Sequence, residues 1–457
     1  MKLKINDLFL AAALVILFAL ECSCDQDKSI IVWQKQVAAG INYAHFKRFT
    51  DTGPLHVHVL KIDLKNDKIN VRPSLAKGII GNLEKTSDIA LRGNAIAAIN
   101  GSFFEARKKL HLPVGFMIID GQIVNKSILE RTAVGITKDK DIVFGIPRTK
   151  GYVLDLNNKK SVPIWGVNRP RKKNEVVIYT NEYGDTTRTN RTGIEIIVEA
   201  DGSIKDIVNG NSPIPKNGFV VSLQGWTTDF AAKTKRSDKI GLVYDLAGKW
   251  KDVDQAITGG PLLVKDGQAV HKESLVTEKF NNEMLAPNSR TAIGVSKDKE
   301  LIFVVVDRQR LFAPEARSHS AKYAGVTYDE LSNIMKEAGA DNAIGLDGGH
   351  TSTMYVNGKI VNDPLNGTEG FVSNAIIVTY DGWKLPYSPK AKVAYQFVYK
   401  PPSEEMIEAL KSGADLTPTT YIPRAEDFGL YGLFDIYNRV IKPVVPASIA
   451  QQPSSGF

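Results

Sequence analysis

Short apolar runs broken by Asp-Gly and Asn-Gly turns, a repeat of one such hairpin, and a single well-marked amphipathic helix predict an α+β fold. The expected form is one large mixed domain, strand-rich with few helices, carrying an internal hairpin-plus-strand repeat. In the first copy, Gly115 to Gln122 holds Asp120-Gly121 and is followed by Arg131-Thr132-Ala133-Val134-Gly135. In the second, Gly260 to Gln268 holds Asp266-Gly267 and is followed by Arg290-Thr291-Ala292-Ile293-Gly294. Asp-Gly between apolar runs is a two-residue hairpin signal. The spacing inside the copies differs, which marks a duplication or a recurring device and not a solenoid. Copies that face each other would bring two arginines and two strand ends to one cleft; otherwise they are two structural hairpins.

The chain begins outside the fold. Lys2 and Lys4 precede an apolar run from Leu8 to Leu20, too short to span a bilayer comfortably, so residues 1–24 read as a signal peptide. Cys22 and Cys24 are the only cysteines. They leave an exported mature chain without an internal disulfide, and either one is a place for a lipid anchor to a membrane. Glu21 departs from the small residues usual before a lipidated cysteine, and the alternative is cleavage beyond both and a freely soluble protein. The expected location is the periplasm or cell envelope. Residues 25–56 read as an N-terminal lead-in, 57–380 as the main domain, and 381–457 as a C-terminal linker and tail. Pro386, Pro389, Pro401 and Pro402 mark the linker, and Tyr421 to Tyr437 carries aromatic residues able to dock on another surface.

A hydrophobic content of 43% and a charged content of 24% are those of a globular protein with a real core. The net charge of +8 leans towards an anionic partner. Arg171-Lys172-Lys173 is followed closely by Glu175, and no basic stretch is interleaved with aromatic residues, so nucleic acid is not an expected partner.

Within the main domain, Val57–Leu64 and Ile69–Val71 read as strands. Asp88–Arg92 reads as a short helix capped by Thr86 or Ser87 and stopped near Gly93. Ala95–Ile99 is an apolar strand ending in Asn100-Gly101-Ser102-Phe103-Phe104-Glu105. Val176–Tyr179, Glu195–Val198 and Phe219–Leu223 follow as strands, while Asn168–Pro170 and Thr186-Thr187 have no partner assignable from spacing. Leu301–Val306 is apolar throughout, as a strand buried on both faces is, and ends at Asp307-Arg308. Thr327 and Glu330 form a capping box for a helix whose apolar face is Leu331, Ile334, Met335 and Ala338, with Gly339 as its stop. That helix delivers the chain to Ala343–Leu346, Asp347 and Gly348-Gly349. Asn357-Gly358 then turns a hairpin, and Asn374–Val378 closes the domain.

Asp347 is a carboxylate at a strand end beside a glycine turn, placed to act as acid, base or nucleophile, or else only to bond its own turn. Backbone amides of Gly348 and Gly349 are expected donors to an anion. Asp307 and Glu105 are further candidate catalytic carboxylates; as structural groups, Asp307 would pair with Arg308 and Glu105 would be solvated.

Five motifs stand in order: Ala98–Phe104, Gly259–Leu262, Arg290–Gly294, Val306–Arg308, and Leu346–Gly349 with Asn357–Lys359. Together, over Val57 to Val378, they resemble the phosphodiester glycosidase family. The resemblance implies an α+β domain and hydrolysis of a sugar joined through its anomeric carbon to a phosphodiester. Its site residues would be Asp347, Asp307 and Glu105 as catalytic groups. Asn100, Gly101, Arg290, Thr291, Arg308, Gly348, Gly349, His350, Thr351 and Ser352 would bind substrate. Glycosidic cleavage uses two carboxylates about an oxocarbenium-like centre. A phosphate leaving group needs little protonation but does need cationic or amide donors, for which Arg290 is the first candidate.

Two departures are visible. His350 and Thr351 stand where the family continues its loop with glycine or serine, and Gly370-Phe371 stands where it has an arginine. His350 is then an added acid/base near neutrality or a solvated loop residue. The expected substrate is an anionic glycan or sugar phosphate of glycan or cell-envelope polysaccharide. The alternatives are a non-catalytic carbohydrate- or wall-polymer-binding protein of the same fold, favoured by Gly370, and a hydrolase of another anionic polymer. No cluster of His, Cys and acids has ligand spacing, so no transition metal or other cofactor is expected; calcium at an Asp-Gly loop stays open.

Overall fold

The structure, a computed structural model, describes residues 29–50, 53–127, 129–307, 309–310 and 323–384. The expected signal peptide with Cys22 and Cys24, Arg308, and the tail from 385 lie outside the described residues. No helix among the described residues is long and apolar enough to cross a membrane.

Strands dominate, arranged chiefly in three sheets. An eight-stranded sheet has the order Ser29–Ala38, Ile41–Thr50, Gly53–Asp63, Glu300–Val306, Arg290–Val295, Asn342–Gly345, Leu262–Lys265, Gln268–Ala269. The apolar run Leu301–Val306 lies inside it and is buried throughout, as its composition predicts. The lead-in expected at 25–56 is therefore partly sheet: its two long strands pair with each other, and the second, Ile41–Thr50, pairs in register with Gly53–Asp63. A five-stranded sheet orders Lys359–Ile360, Met354–Val356, Ala97–Asn100, Asn374–Tyr380 and Ile69–Leu75. A ten-stranded sheet holds Ala133–Thr137, Val253–Thr258, Phe116–Ile119 and Gln122–Lys126 at one end and the 166–208 strands with Phe219–Leu223 at the other.

All three predicted hairpins turn as their sequences require. Asp120 (φ 51°), Asp266 (φ 49°) and Asn357 (φ 47°) each adopt the left-handed conformation ahead of a glycine that does the same. Two successive positive-φ residues make the turn whose twist matches that of paired strands. The two repeat copies enter different sheets, the first the ten-stranded and the second the eight-stranded one.

The helix Tyr328–Glu337 has the predicted capping box, with Leu331, Ile334 and Met335 buried, and ends before Gly339 at φ 96°. The earlier helix, Thr86–Arg92, differs from expectation at its start. Lys85 occupies the cap position, and neither Thr86 nor Ser87 caps it. Glu369 does this work from a distant loop, accepting from the Ser87 amide at 2.9 Å. A carboxylate brought in by tertiary structure satisfies the same orphan donors and the same dipole as a local cap.

One apolar core joins the sheets. Leu60 and Phe303 from the eight-stranded sheet, Ile99 and Ile376 from the five-stranded, and Met117 and Ile257 from the ten-stranded form a single cluster. Each such side chain contributes about 1.5–3 kcal/mol on burial. The polar ends of these strands surround the core's rim, and the candidate site is built there.

Candidate functional site

The site starts from Asn100, buried at the end of the strand Ala97–Asn100. Its amide nitrogen donates to the Asp347 carbonyl at 2.6 Å, and its oxygen accepts from Thr291 Oγ1 at 2.7 Å and from the Thr353 amide at 3.1 Å. Asn100 therefore ties the strand ends of two sheets together. Gly101 accepts from the Asp347 amide at 3.1 Å. A Cβ on Gly101 would stand 2.0 Å from Asn374 Oδ1, so only glycine leaves room for the Asn374 side chain here. Asn374 in turn receives the Ser102 amide at 2.9 Å and donates to Ser102 Oγ at 2.8 Å.

This seam holds Asp347 in the turn after the strand Asn342–Gly345. Its carboxylate accepts from the Gly348 amide at 3.0 Å and from Thr351 Oγ1 at 3.0 Å. Although protein surrounds the carboxyl, the residue keeps part of its surface open. Burial pushes its pKa up to about 7, against the lowering effects of Thr351, the Gly348 amide and Arg290. A carboxyl that titrates near neutrality can exchange a proton with substrate or water at physiological pH.

The expectation that Gly348 and Gly349 offer their amides to an anion is corrected by the geometry. The Gly348 amide is taken by Asp347, and the Gly349 amide donates to the Ser289 carbonyl at 2.8 Å. The glycines shape the turn; they are not its free donors.

Arg290 is buried beside Asp347. Its Nε donates to the Val326 carbonyl at 3.2 Å, and one terminal nitrogen to the carbonyls of Met284 (2.9 Å) and Ala286 (2.7 Å). The guanidinium carbon lies 4.1 Å from the centre of the Tyr328 ring. Arg131, its counterpart in the first repeat copy, repeats the device: its guanidinium stacks 4.0 Å from the centre of Phe280. The two rings touch edge to face with centroids 5.8 Å apart. The repeat thus brings its arginines to opposite sides of one aromatic pair, a cation–π–π–cation stack. Thr132 departs from Thr291: it donates to buried Glu278 at 2.8 Å, and Glu278 also accepts the Leu262 amide at 2.9 Å. Tyr328 stands amid Arg290, Asp347, Arg131 and Glu278, and its buried hydroxyl has no hydrogen-bond partner among the described residues. Nor do the buried hydroxyls of Ser352 and Thr353.

Asp307 lies at the end of Glu300–Val306, buried and heavily engaged. It accepts from His58 Nε2 (2.9 Å), Asn362 Nδ2 (2.9 Å) and the Asp363 amide (3.0 Å). His58 is held on its other nitrogen by Tyr43 at 2.7 Å, and His45 stacks on His58 with ring centroids 4.5 Å apart. His45 also meets His56 at 2.8 Å, and burial pulls its pKa down to about 4. These groups are not arranged to hold a metal. Asn362 carries the network onward to the Ser352 carbonyl at 3.2 Å, beside the Asp347 turn.

Glu105 is exposed, and no hydrogen bond or ion pair joins its carboxylate to Asp307 or Asp347 among the described residues. His350 is exposed on the outer side of the Asp347 turn, and its carbonyl accepts the Gly370 amide at 3.1 Å. The sequence-level choice omitted Arg131, Glu278, Tyr328 and the histidine group. Period-two alternation held a signal for the last: His56 and His58 share a strand face with Leu60 and Ile62, where apolar residues belong.

Residues 174–379 match the phosphodiester glycosidase family. The match begins after the Asn100 motif, which reaches the site from outside the matched stretch. Two solved structures share the fold. A hypothetical protein from Synechocystis is 21% identical with a TM-score of 0.64, over 78% of this chain and 64% of that one. A putative exported protein from Burkholderia pseudomallei is 18% identical with a TM-score of 0.63, over 78% of this chain and 97% of that one. This chain thus spans just under two thirds of the Synechocystis protein. The catalytic domain of zebrafish N-acetylglucosamine-1-phosphodiester alpha-N-acetylglucosaminidase, auto-inhibited by its pro-peptide, is 15% identical with a TM-score of 0.43, over 78% and 88% of the two chains. No curated protein matches the chain.

Proposed function

We propose that this chain, whose residues 174–379 form a phosphodiester glycosidase domain, is an exported hydrolase that cleaves a sugar from a phosphodiester at the anomeric carbon. The single observation that carries the activity is Asp347. It is a carboxyl pushed up to about 7, held at the junction of two sheets beside Arg290 and close to Tyr328, whose buried hydroxyl has no hydrogen-bond partner among the described residues. Buried polar groups are ordinarily bonded, so an orphan hydroxyl near a titrating carboxyl marks a place where a hydroxyl-bearing ligand completes the bonding.

The chemistry assigns the parts. A phosphodiester leaves as a stable anion, so the departing side asks for positive charge more than for a proton. Arg290 supplies that charge with its one terminal nitrogen that has no hydrogen bond among the described residues. The remaining task is to bring in water, and the ionised form of Asp347 accepts its proton. Asp307, bonded by His58, Asn362 and Asp363, holds the 362–363 loop against the Asp347 turn. The substrate class is an anionic glycan of the cell envelope or an exopolysaccharide, and export follows from the Leu8–Leu20 run.

A panel of synthetic sugar-1-phosphodiesters assayed with the mature protein tests this. Turnover that disappears in Asp347→Asn supports it. Binding of the same glycans without turnover would favour a carbohydrate-binding protein of this fold.

A further inference from the structure

Behind Arg131 lies a small cavity of about 50 Å³, between the Gln122–Lys126 strand and the segment approaching Thr149. Lys126, Arg131 and Glu130 are its charged lining residues, and Phe116, Leu129 and Ile146 give it apolar walls. The Lys126 ammonium is the unusual group. It borders the cavity, yet protein surrounds it, and no carboxylate lies within 4.0 Å among the described residues. Its bonds are to the Thr149 and Ile164 carbonyls, both at 3.4 Å, long for N–H···O contacts and fewer than its three donors require. Burial and nearby Arg169 pull its pKa down to about 8, against the pull of Glu130. Arg131 uses only Nε, towards the Glu278 carbonyl at 3.4 Å. The cavity floor therefore holds two under-bonded cations against one carboxylate, with apolar walls that strengthen attraction for an anion.

We propose that this cavity is an oxyanion site that takes a compact phosphate or phosphomonoester, with Lys126 as its main ligand and Arg131 beside it. Phosphate oxygens match the Lys126 donor left unused by the two carbonyls and the guanidinium edge of Arg131. Arg131 also stacks on Phe280, so the Phe280–Tyr328 ring pair links the cavity to the surroundings of Asp347. The phosphoryl group has two sources, the sugar phosphodiester of the proposed reaction or free phosphate, and the chemistry of the site is the same for both.

Titration calorimetry of the mature protein with inorganic phosphate at pH 6.5 tests the site directly and does not depend on the glycosidase reading. Saturable binding is expected, weakened at least tenfold in Lys126→Met and strengthened about twofold to threefold in Glu130→Gln. Affinity should fall as pH rises through about 8, where the free-site ammonium loses its proton. Lys126→Met removes a buried charge and should melt no lower than the wild type, so lost binding there is not lost folding. Absence of phosphate binding, or equal affinity in Lys126→Met, overturns the proposal. With a cleavable diester, competitive inhibition by phosphate that Lys126→Met abolishes assigns the substrate's phosphoryl group; binding without inhibition assigns free phosphate.

Discussion

Gly370 and His350 are fitted to each other: a Cβ on Gly370 would stand 2.5 Å from the His350 carbonyl oxygen and 2.8 Å from its Cδ2. The two departures from the family's motifs therefore meet at one contact. A side chain at 370 collides with the backbone of the turn that holds Asp347, and backbone cannot swing aside as a flexible side chain does. The place that lacks an arginine is also the place that cannot receive one while His350 keeps this position.

Gly370→Arg should accordingly cost stability and restore nothing. Overpacking of this kind costs about 1–3 kcal/mol, readable as a fall of several degrees in the melting temperature. Phe371 is 54% exposed, so Phe371→Arg should leave the melt unchanged. A Gly370→Arg variant with the wild-type melting temperature would show that the turn yields.

Arg290 carries both brace and clamp. Three bonds to carbonyls, of which Val326 is buried, and the Tyr328 stack are lost in Arg290→Ala, and the buried carbonyl left unsatisfied costs about 1–3 kcal/mol. Arg290→Lys keeps the charge but not the planar fork, and should lower kcat/KM on a phosphodiester by tenfold or more. An uncharged glycoside should suffer less. Equal losses on charged and neutral substrates, in step with the melt, would leave Arg290 only the brace.

Tyr328 offers a hydroxyl with no partner, raised in pKa first by burial, so it is a proton donor at neutral pH. Tyr328→Phe removes that donor and keeps the ring between Phe280 and Arg290. The variant should fold as the wild type does and lose activity by about 1–2 kcal/mol of transition-state binding, a factor of roughly five to thirty. Unchanged kinetics would place the hydroxyl outside the substrate's reach.

Much of this was legible in the chain. Asp-Gly and Asn-Gly turns, the capping box of Thr327 and Glu330, and the buried run Leu301–Val306 are local signals, and each appears as predicted. The repeat points to two arginines at one place, and the aromatic pair between them comes from residues with no local mark, Phe280 and Tyr328. The cap of Thr86–Arg92 was misplaced because Glu369 supplies it from across the fold. The unassigned Thr187 proved to donate to Glu195 at 2.9 Å, a partner eight residues away that a strand turned inward. Tertiary partners of this kind leave no spacing to read.

Glu195 gives a test of such hidden order. It is fully buried and accepts from Thr187, Thr189, Ser212 and Ser222. Burial raises its pKa, but bonds from Ser212, Ser222 and Thr189 outweigh that and hold it below the ordinary value of 4.5. A depressed carboxyl contributes stability above its unfolded pKa and loses it as pH falls through the folded value. Wild-type protein should therefore lose melting temperature below about pH 4.5 more steeply than Glu195→Gln, which should already be weaker by about 1–3 kcal/mol at pH 7. Parallel pH profiles would remove Glu195 from the acid sensitivity.

The pH dependence of sugar-1-phosphodiester hydrolysis, measured on wild type and Asp347→Asn together, tests the central claim most directly. Asp347 titrates at about 7, and its ionised form is the one that accepts the proton. Wild-type kcat/KM should rise about tenfold per pH unit below that value and level off above it. Asp347→Asn should lose about 10²–10⁴-fold at every pH and show no such inflection. Its melting temperature should no longer fall between pH 4 and 7, the window in which a raised carboxyl costs the folded state stability. A wild-type rate in Asp347→Asn, or an inflection near pH 7 that survives the substitution, would contradict the account.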